Sequence, residues 1–392
     1  MEKQRRALLF LSVLIFFSCA SAPPLMERYD SPQKSLPPPE IQTLPRADYL
    51  TIVAAGDNLY HAVMIGEGEN GNYETAYTEI QDLIGKADIA FINQETLLAG
   101  KDFGFSGYPQ FNSPQELGRA ITAAGFNVVN HATNHTMDKG EKAVLATLDF
   151  WDTIPQVTIL GIHRSEEQRT LPRLLKKNNI TIGFLSYTYG TNGIPVPPSK
   201  PFMVSLANTE IMAKDIDALR PLCDFLMVSM HWGEEYKHEY NKKQEELAAF
   251  LAEHSVDLVI GHHPHVIQPI EYIPRPDGRF MLCFYSLGNL ISAQSHTPTL
   301  LGALACIRIE KTSALSGNAA GIIHAGAIPL VTHYEKNYTG FKVYPLYTYT
   351  EELVEKHWKN QAKKELTINY LYALAAKVFG DKEIRQDPFD SW

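Results

Sequence analysis

Val256-Asp257-Leu258-Val259-Ile260-Gly261-His262-His263-Pro264-His265-Val266 is an apolar run that ends in three histidines within four positions. A short continuous apolar run reads as a buried strand. Imidazoles at its carboxyl end suit zinc, iron, manganese or nickel, and His is the commonest metal ligand. In an extended segment, side chains two apart face the same way. His263 and His265 are therefore expected to share one centre or flank a pair of ions. The competing reading is a turn with solvated histidines.

The same design recurs on both sides of this stretch. From Asp48 a strand runs into Gly56-Asp57, followed by a polar loop through Asn58 to His61. Ala87–Ile92 runs into Asn93-Gln94-Glu95-Thr96, and Phe126–Val129 into Asn130-His131-Ala132-Thr133-Asn134-His135. Phe225–Met230 runs into His231-Trp232-Gly233-Glu234-Glu235, and Phe280–Ser286 into Leu287-Gly288-Asn289. One further strand, Ile180–Tyr187, ends without a comparable group. Helical patterns lie between the strands: Tyr73–Gly85, a helix opening at Ser113-Pro114 and ending at Gly125, Lys139–Trp151, Asn208–Leu219 and Lys242–His254. Strands alternating with helices imply an α/β sheet. Such sheets bind ligands beyond the carboxyl ends of their strands. Here those ends carry Asp57, Glu95, Asn134, His135, His231, His263, His265 and Asn289. Two further strands are expected around Ala303–Ile309 and Gly321–Val331, followed by helix over 351–379.

Composition bounds the reading. The chain has 392 residues, a formal charge of -9 and 45% hydrophobic residues, an ordinary globular profile. Mild acidity speaks against a general nucleic-acid binder, which would present a basic face. The N-terminus differs from the rest. Lys3, Arg5 and Arg6 precede a short apolar core, followed by Ser18-Cys19-Ala20. This is the pattern of a secretory signal over residues 1–19. Cys19 resembles a lipoprotein cleavage site, with cleavage after Ala20 or Ala22 as the alternative. Residues 20–46, with Pro37-Pro38-Pro39, read as an extended tether. The expected organisation is then a domain over 47–335 and a helical C-terminal extension over 336–392. Cys223, Cys283 and Cys306 lie in or beside apolar runs, as buried thiols do.

The strand-end residues form an oxygen and nitrogen donor set that suits manganese, iron or zinc. Carboxylates and imidazoles from separate strand ends can hold two ions around a shared carboxylate. Glu95 is the candidate bridge and Asp57 the ligand from the first strand. Asp138 with Glu141 also reads as a helix capping box.

Six motifs, taken together and in this order, resemble the capsule-biosynthesis CapA proteins. They are Gly56-Asp57-Asn58-Leu59-Tyr60-His61, Asn93-Gln94-Glu95-Thr96, Asn134-His135-Thr136-Met137-Asp138-Lys139-Gly140, His231-Trp232-Gly233-Glu234, Gly261–Val266 and Ser286–Asn289. That family is linked to poly-γ-glutamate capsule and is similar to calcineurin-like metallophosphoesterases. The resemblance covers roughly residues 48–300. It implies a four-layer α/β/β/α sandwich and two divalent ions held by Asp57, Glu95, Asn134, His231, His263 and His265. It gives His135 the role of general acid or transition-state stabiliser, with Asp138 either orienting it or capping a helix. His262 is expected to stand behind the ligands or to face solvent. His61 is read as ligand, substrate contact or surface residue, and Glu234 as a partner of a histidine or a substrate amine. Asn93 and Asn289 join these outer positions. His131, His238, His254 and His296 read as ordinary histidines. The two departures from the phosphoesterase pattern are Glu95 in place of Asp, and a His at 61 rather than two residues after Asp57. With the N-terminal signal, the expected protein is exported and either membrane-anchored through Cys19 or periplasmic or extracellular. It would act on a phosphoester or anionic polymer, beside other capsule-synthesis proteins. A non-catalytic role in polymer export or anchoring is the alternative.

Overall fold

In a computed structural model of the chain, the backbone is described for residues 48–70, 72–311, 319–362, 365–380 and 384–386. The signal segment, Cys19 and the tether lie outside these residues. The described residues fall in one compact unit.

Two sheets organise that unit. The first contains β1 (Asp48–Leu59), β2 (Ile89–Gln94), β3 (Val128–Asn130) and β4 (Thr158–Leu160), all parallel. The second contains β5 (Leu174–Lys177), β6 (Ile180–Thr188), β7 (Phe225–His231), β8 (Leu258–His262), β9 (Ile270–Pro274) and β10 (Phe280–Phe284). The first sheet is completed by β11 (Asn289–Ser292), β12 (Leu301–Lys311), β13 (Ala320–Glu335) and β14 (Thr339–Pro345). Its order is β14-β13-β12-β1-β2-β3-β4, with β11 also on β1; the second sheet runs β5-β6-β7-β8-β10-β9.

Side-chain alternation explains the layering. Along β7, Phe225 and Met227 join the core shared with the first sheet. Leu226, Val228 and Met230 face the other way, onto Met212, Ile216 and Leu219 and onto Ala248, Leu251 and Ala252. Those two groups belong to the helices Thr209–Leu219 and Lys242–Glu253. In β8, Leu258 and Ile260 face inward while Val259 faces the helices. A strand buried on both faces reads as a continuous apolar run, which is why the Val256–Ile260 pattern carries no alternation. Leu117, Ala120 and Ile121 of the helix Gln115–Ala123 pack with β2 and β3. The result is a four-layer α/β/β/α sandwich.

Several local expectations give way. Ser113 does not cap its helix; its hydroxyl is 2.8 Å from that of Thr96, and Pro114 takes the cap position. Tyr73–Gly85 divides into Tyr73–Tyr77 and Gln81–Gly85. The region after 335 opens with β14, whose Phe341 and Val343 are buried against β13, so the sheet extends into the segment expected to be a helical extension. The 351–379 region is three helices rather than one. Thr350 and Thr367 each cap a new start, and Asn360 pairs with both backbone groups of Leu366 between them.

The register of the parallel strands aligns the residues that matter. Asp57 lies opposite Asn93 and Asn289, and Asn93 lies opposite Asn130. In the second sheet His231 lies opposite Thr188 and His262. Gly56 permits the close approach of β11, because a Cβ there would collide with the Gly288 carbonyl oxygen that accepts the Asp57 N–H at 2.9 Å. Gly56→Ala should therefore lower the unfolding free energy by about 1–3 kcal/mol, read by urea denaturation. An unchanged midpoint would show that β1 and the 287–288 backbone are not held at this distance.

Candidate metal centre

The centre lies where the carboxyl ends of β1, β2, β3, β7 and β8 meet. Asp57 is fully buried, and both of its oxygens are engaged. One carboxylate oxygen accepts from Asn93 Nδ2 at 2.8 Å and lies 3.6 Å from His262 Nδ1. The other accepts the His263 backbone N–H at 3.2 Å and lies 3.1 Å from His265 Nδ1. Glu95 follows β2 and is equally buried, yet neither of its oxygens has a hydrogen-bond partner. His231 Nε2 and His265 Nε2 each stand 3.8 Å from Glu95 Oε1. Asn134 Oδ1 meets His231 Nε2 at 2.9 Å. Asn289 Oδ1 takes His265 Nδ1 at 3.0 Å, which orients that ring as outer partners of metal-ligating imidazoles do.

His263 and His265 reach the site by a route other than the expected one. β8 ends at His262, so the two residues are not extended neighbours on one strand face. Each has positive φ, +99° and +58°, on either side of Pro264. Non-glycine residues in that region cost on the order of 1–3 kcal/mol and cluster at functional sites. His262 is fully buried and stacked on Phe91, which removes the solvent-facing reading and places its ring beside Asp57.

Electrostatics follow from crowding charges out of water. Burial raises Asp57, but contacts with His262 and His265 outweigh it and hold the carboxyl well below its usual range. Burial pushes Glu95 well above its range; His265 opposes this, and the charge of Asp57 adds to it. Burial opposes the charged form of His265, but Glu95 and Asp57 prevail and raise it to about 9. Burial lowers His263 to about 3 and His61 to about 4. His231 is also lowered, first by burial and then by His263.

Among the described residues, three sets of side chains bring one ligand atom each within 4.8 Å of one another: Glu95–His231–His263, Asp57–Glu95–His265 and Glu235–His263–His265. The first two share Glu95. Its two unpartnered, buried oxygens are what a cation would satisfy. The donors are carboxylate and imidazole with no thiolate, so the residues fit manganese, iron or zinc.

The remaining candidates divide. His135 Nδ1 lies 2.7 Å from Asp138 Oδ2, which also accepts the Phe111 N–H at 2.7 Å. Asp138 thus holds His135. The following helix, Gly140–Asp152, has Lys139 at its cap position and no side-chain cap. Asn93 links Asp57 to Asn130. His61 belongs to none of the three sets; its Nδ1 accepts the Ala293 N–H at 3.4 Å and its ring meets Phe111 edge-on. Glu234 is exposed, with Asn241 Nδ2 at 3.4 Å. His131 accepts from Trp151 Nε1 in the core.

Three residues come into the site from outside the expected set. Tyr189 and Asn192 follow β6, the strand expected to contribute nothing. The Tyr189 ring centre is 4.8 Å from that of His263, and Asn192 Oδ1 takes Asn134 Nδ2 at 3.3 Å. Glu235 is the third. Its signal was its place in the His231–Glu235 strand-end run; Tyr189 and Asn192 lie past a strand end that no carboxylate or imidazole follows. A separate cavity of about 470 Å³, lined by residues including His163, Arg169 and Asp215, reaches Ser186. Ser186 hydrogen-bonds Asn130 and so joins the Asn130–Asn93–Asp57 chain.

Buried carboxylates and imidazoles gathered at the strand ends of a four-layer sandwich define an α/β/β/α domain with a candidate metal centre. The chain belongs to the bacterial capsule synthesis protein PGA_cap family, whose model matches residues 51–294, more than half its length. It is 26% identical over 284 residues to the PGA biosynthesis protein CapA of Bacillus subtilis (strain 168), covering 68% of this chain and 72% of that one. It is 26% identical over 272 residues to the capsule biosynthesis protein CapA of Bacillus anthracis, covering 67% of this chain and 63% of that one. Among solved structures it is similar to the NAD nucleotidase of Haemophilus influenzae, with a TM-score of 0.45 and 11% identity over 88% of this chain and 65% of that one.

The strained histidine backbone has a measurable consequence. Without added metal, His263→Gly should be more stable than His263→Ala by about 1 kcal/mol, because glycine adopts positive φ without penalty. Equal denaturation midpoints for the two variants would contradict the strain.

Proposed function

We propose that this chain is an exported, metal-dependent hydrolase of capsule or surface-polymer synthesis, acting on a phosphoester or a related anionic substrate. The observation that carries the reading is Glu95, a buried carboxylate with both oxygens unpartnered, shared by two ligand sets. Glu95, Asn134, His231 and His263 would hold one divalent ion, and Asp57, Glu95 and His265 the other. Two such ions supply Lewis-acid chemistry, activating water as a nucleophile and neutralising charge that develops on the substrate.

The protein's own groups do the rest. His135 would give a proton to the leaving oxygen from its Nε2, while Asp138 fixes Nδ1 and the ring's orientation. Phe111 covers the His135 ring edge-on, with centroids 4.6 Å apart, and its N–H anchors the Asp138 carboxylate. Asn93 and Asn289 keep Asp57 and His265 aimed into the site. The N-terminal segment supports export and lipid attachment at Cys19. That attachment would place the centre at a membrane surface beside other capsule-synthesis proteins.

The names of the relatives favour a second reading, in which the centre binds metal but the protein handles a polymer without turning over esters. Elemental analysis combined with hydrolysis of a generic phosphodiester in added manganese separates the two. Tight metal without turnover would leave the polymer-handling reading. Asp57→Asn together with His263→Ala should abolish metal content, and full occupancy in the double variant would sink both readings. His135→Ala should retain metal and lose about 10²–10⁴-fold in kcat. Unchanged turnover would remove His135 from the chemistry.

A further inference from the structure

Each buried ligand set draws on different imidazoles, and one set is short of donors. Glu95, His231 and His263 have Asn134 Oδ1 beside them, 2.9 Å from His231. Asp57, Glu95 and His265 gain no fourth His, Cys, Asp or Glu from the buried shell among the described residues. Its obvious source in the sequence, His61, joins no set among the described residues. Glu235 does: one of its carboxylate oxygens lies within 4.8 Å of ligand atoms of both His263 and His265. These imidazoles belong to different buried sets, so Glu235 spans the pair from the exposed side while Glu95 spans it from the buried side.

The loop that carries Glu235 is built to hold it there. The Trp232 N–H donates to the His262 carbonyl at 3.0 Å, and the Tyr236 N–H to the Pro264 carbonyl at 2.8 Å. Beyond Glu235, Gln268 Nε2 donates to the carbonyls of Lys237 at 2.9 Å and Glu239 at 3.1 Å. The backbone is therefore pinned on both sides of Glu235, and to the same segment that presents His263 and His265. Tyr236, at φ +65°, is a further positive-φ residue in this loop. A solvated surface glutamate needs none of these constraints. The second observation pointing to a ligand is the pair of unpartnered groups across the centre. Glu95 has two free oxygens, and His263 Nδ1 is buried without a hydrogen bond.

We propose that Glu235 is a ligand of the metal centre, closing it on its solvent-facing side between His263 and His265. This rests on the metal-centre reading above and adds to it a carboxylate from outside the buried shell. The exposed position gives Glu235 a distinct task. As a ligand that water can compete for, it would set how firmly the ions are retained rather than whether the buried shell can form.

The test is manganese binding to the full chain, without any substrate. Electron paramagnetic resonance of free Mn(II) gives stoichiometry and affinity for wild type, Glu235→Gln and Glu239→Gln. Glu235→Gln should lose one equivalent of metal or bind at least about tenfold more weakly. Glu239→Gln, on the same loop, should match wild type. Circular dichroism and the urea midpoint of metal-free protein should be alike in all three. Wild-type stoichiometry and affinity in Glu235→Gln would overturn the proposal while leaving the buried centre in place. Failure of the wild type itself to bind manganese, zinc or iron would overturn the centre and this proposal together. Equal weakening in Glu239→Gln would assign the effect to surface charge and also overturn it.

Discussion

Two carboxylates buried on either side of one imidazole, His265, are the constraint on which the rest of this molecule depends. Desolvating a charge is costly unless a partner compensates it. Asp57 finds its compensation in His265, His262 and the Asn93 amide. Glu95 has no hydrogen-bond partner, and burial holds its carboxyl well above its normal range despite the opposing charge of His265 3.8 Å away. A fold would not keep such a group for stability alone, since a neutral side chain of similar shape would cost less. A divalent cation would resolve the conflict. It would add the positive charge that Glu95 lacks and would take up the free lone pairs of the imidazoles.

The scaffold meets that constraint by stiffness. The ligands sit on, or in the few residues past the ends of, strands buried on both faces, where a slip of one residue would turn apolar side chains out of the core. Asp57, Asn93, Asn130 and Asn289 form a continuous row through backbone pairing, with amide hydrogen bonds along much of it. Asn is well suited here because each amide both donates and accepts. The second sheet contributes His231 and His262 on the same principle, as paired residues at the ends of β7 and β8. The His263–His265 turn departs from regular structure, and there the backbone carries the strain.

Much of this was legible in the linear chain. Apolar runs ending in Asp, Glu, Asn or His announce an α/β sheet with its chemistry at the carboxyl edge. That pattern picks out Asp57, Glu95, Asn134, His135, His231, His263 and His265, which the fold brings together. The pattern could not place His61, which it left as ligand, substrate contact or surface residue and whose ring turns to Phe111 and Ala293. Nor could it decide Asp138, since a capping carboxylate and one that orients a histidine look identical in sequence. The competition was settled when Asp138 took both His135 and the Phe111 N–H. Tyr189 and Asn192 were invisible because their part is set by the approach of β6 to β7, a non-local fact.

Residue chemistry and hydrophobic pattern thus determined the class of fold, the edge at which a site would form and the donor types available to it. Both are local properties, carried by a strand's own side chains and by the few residues just past its last apolar position. Tertiary structure decided which donors lie together, which histidines face Asp57 and which acid on the 232–241 loop comes within reach of His263 and His265. Those outcomes depend on how two sheets are registered and packed. The energy of a buried charge is set by neighbours that lie far away in the chain.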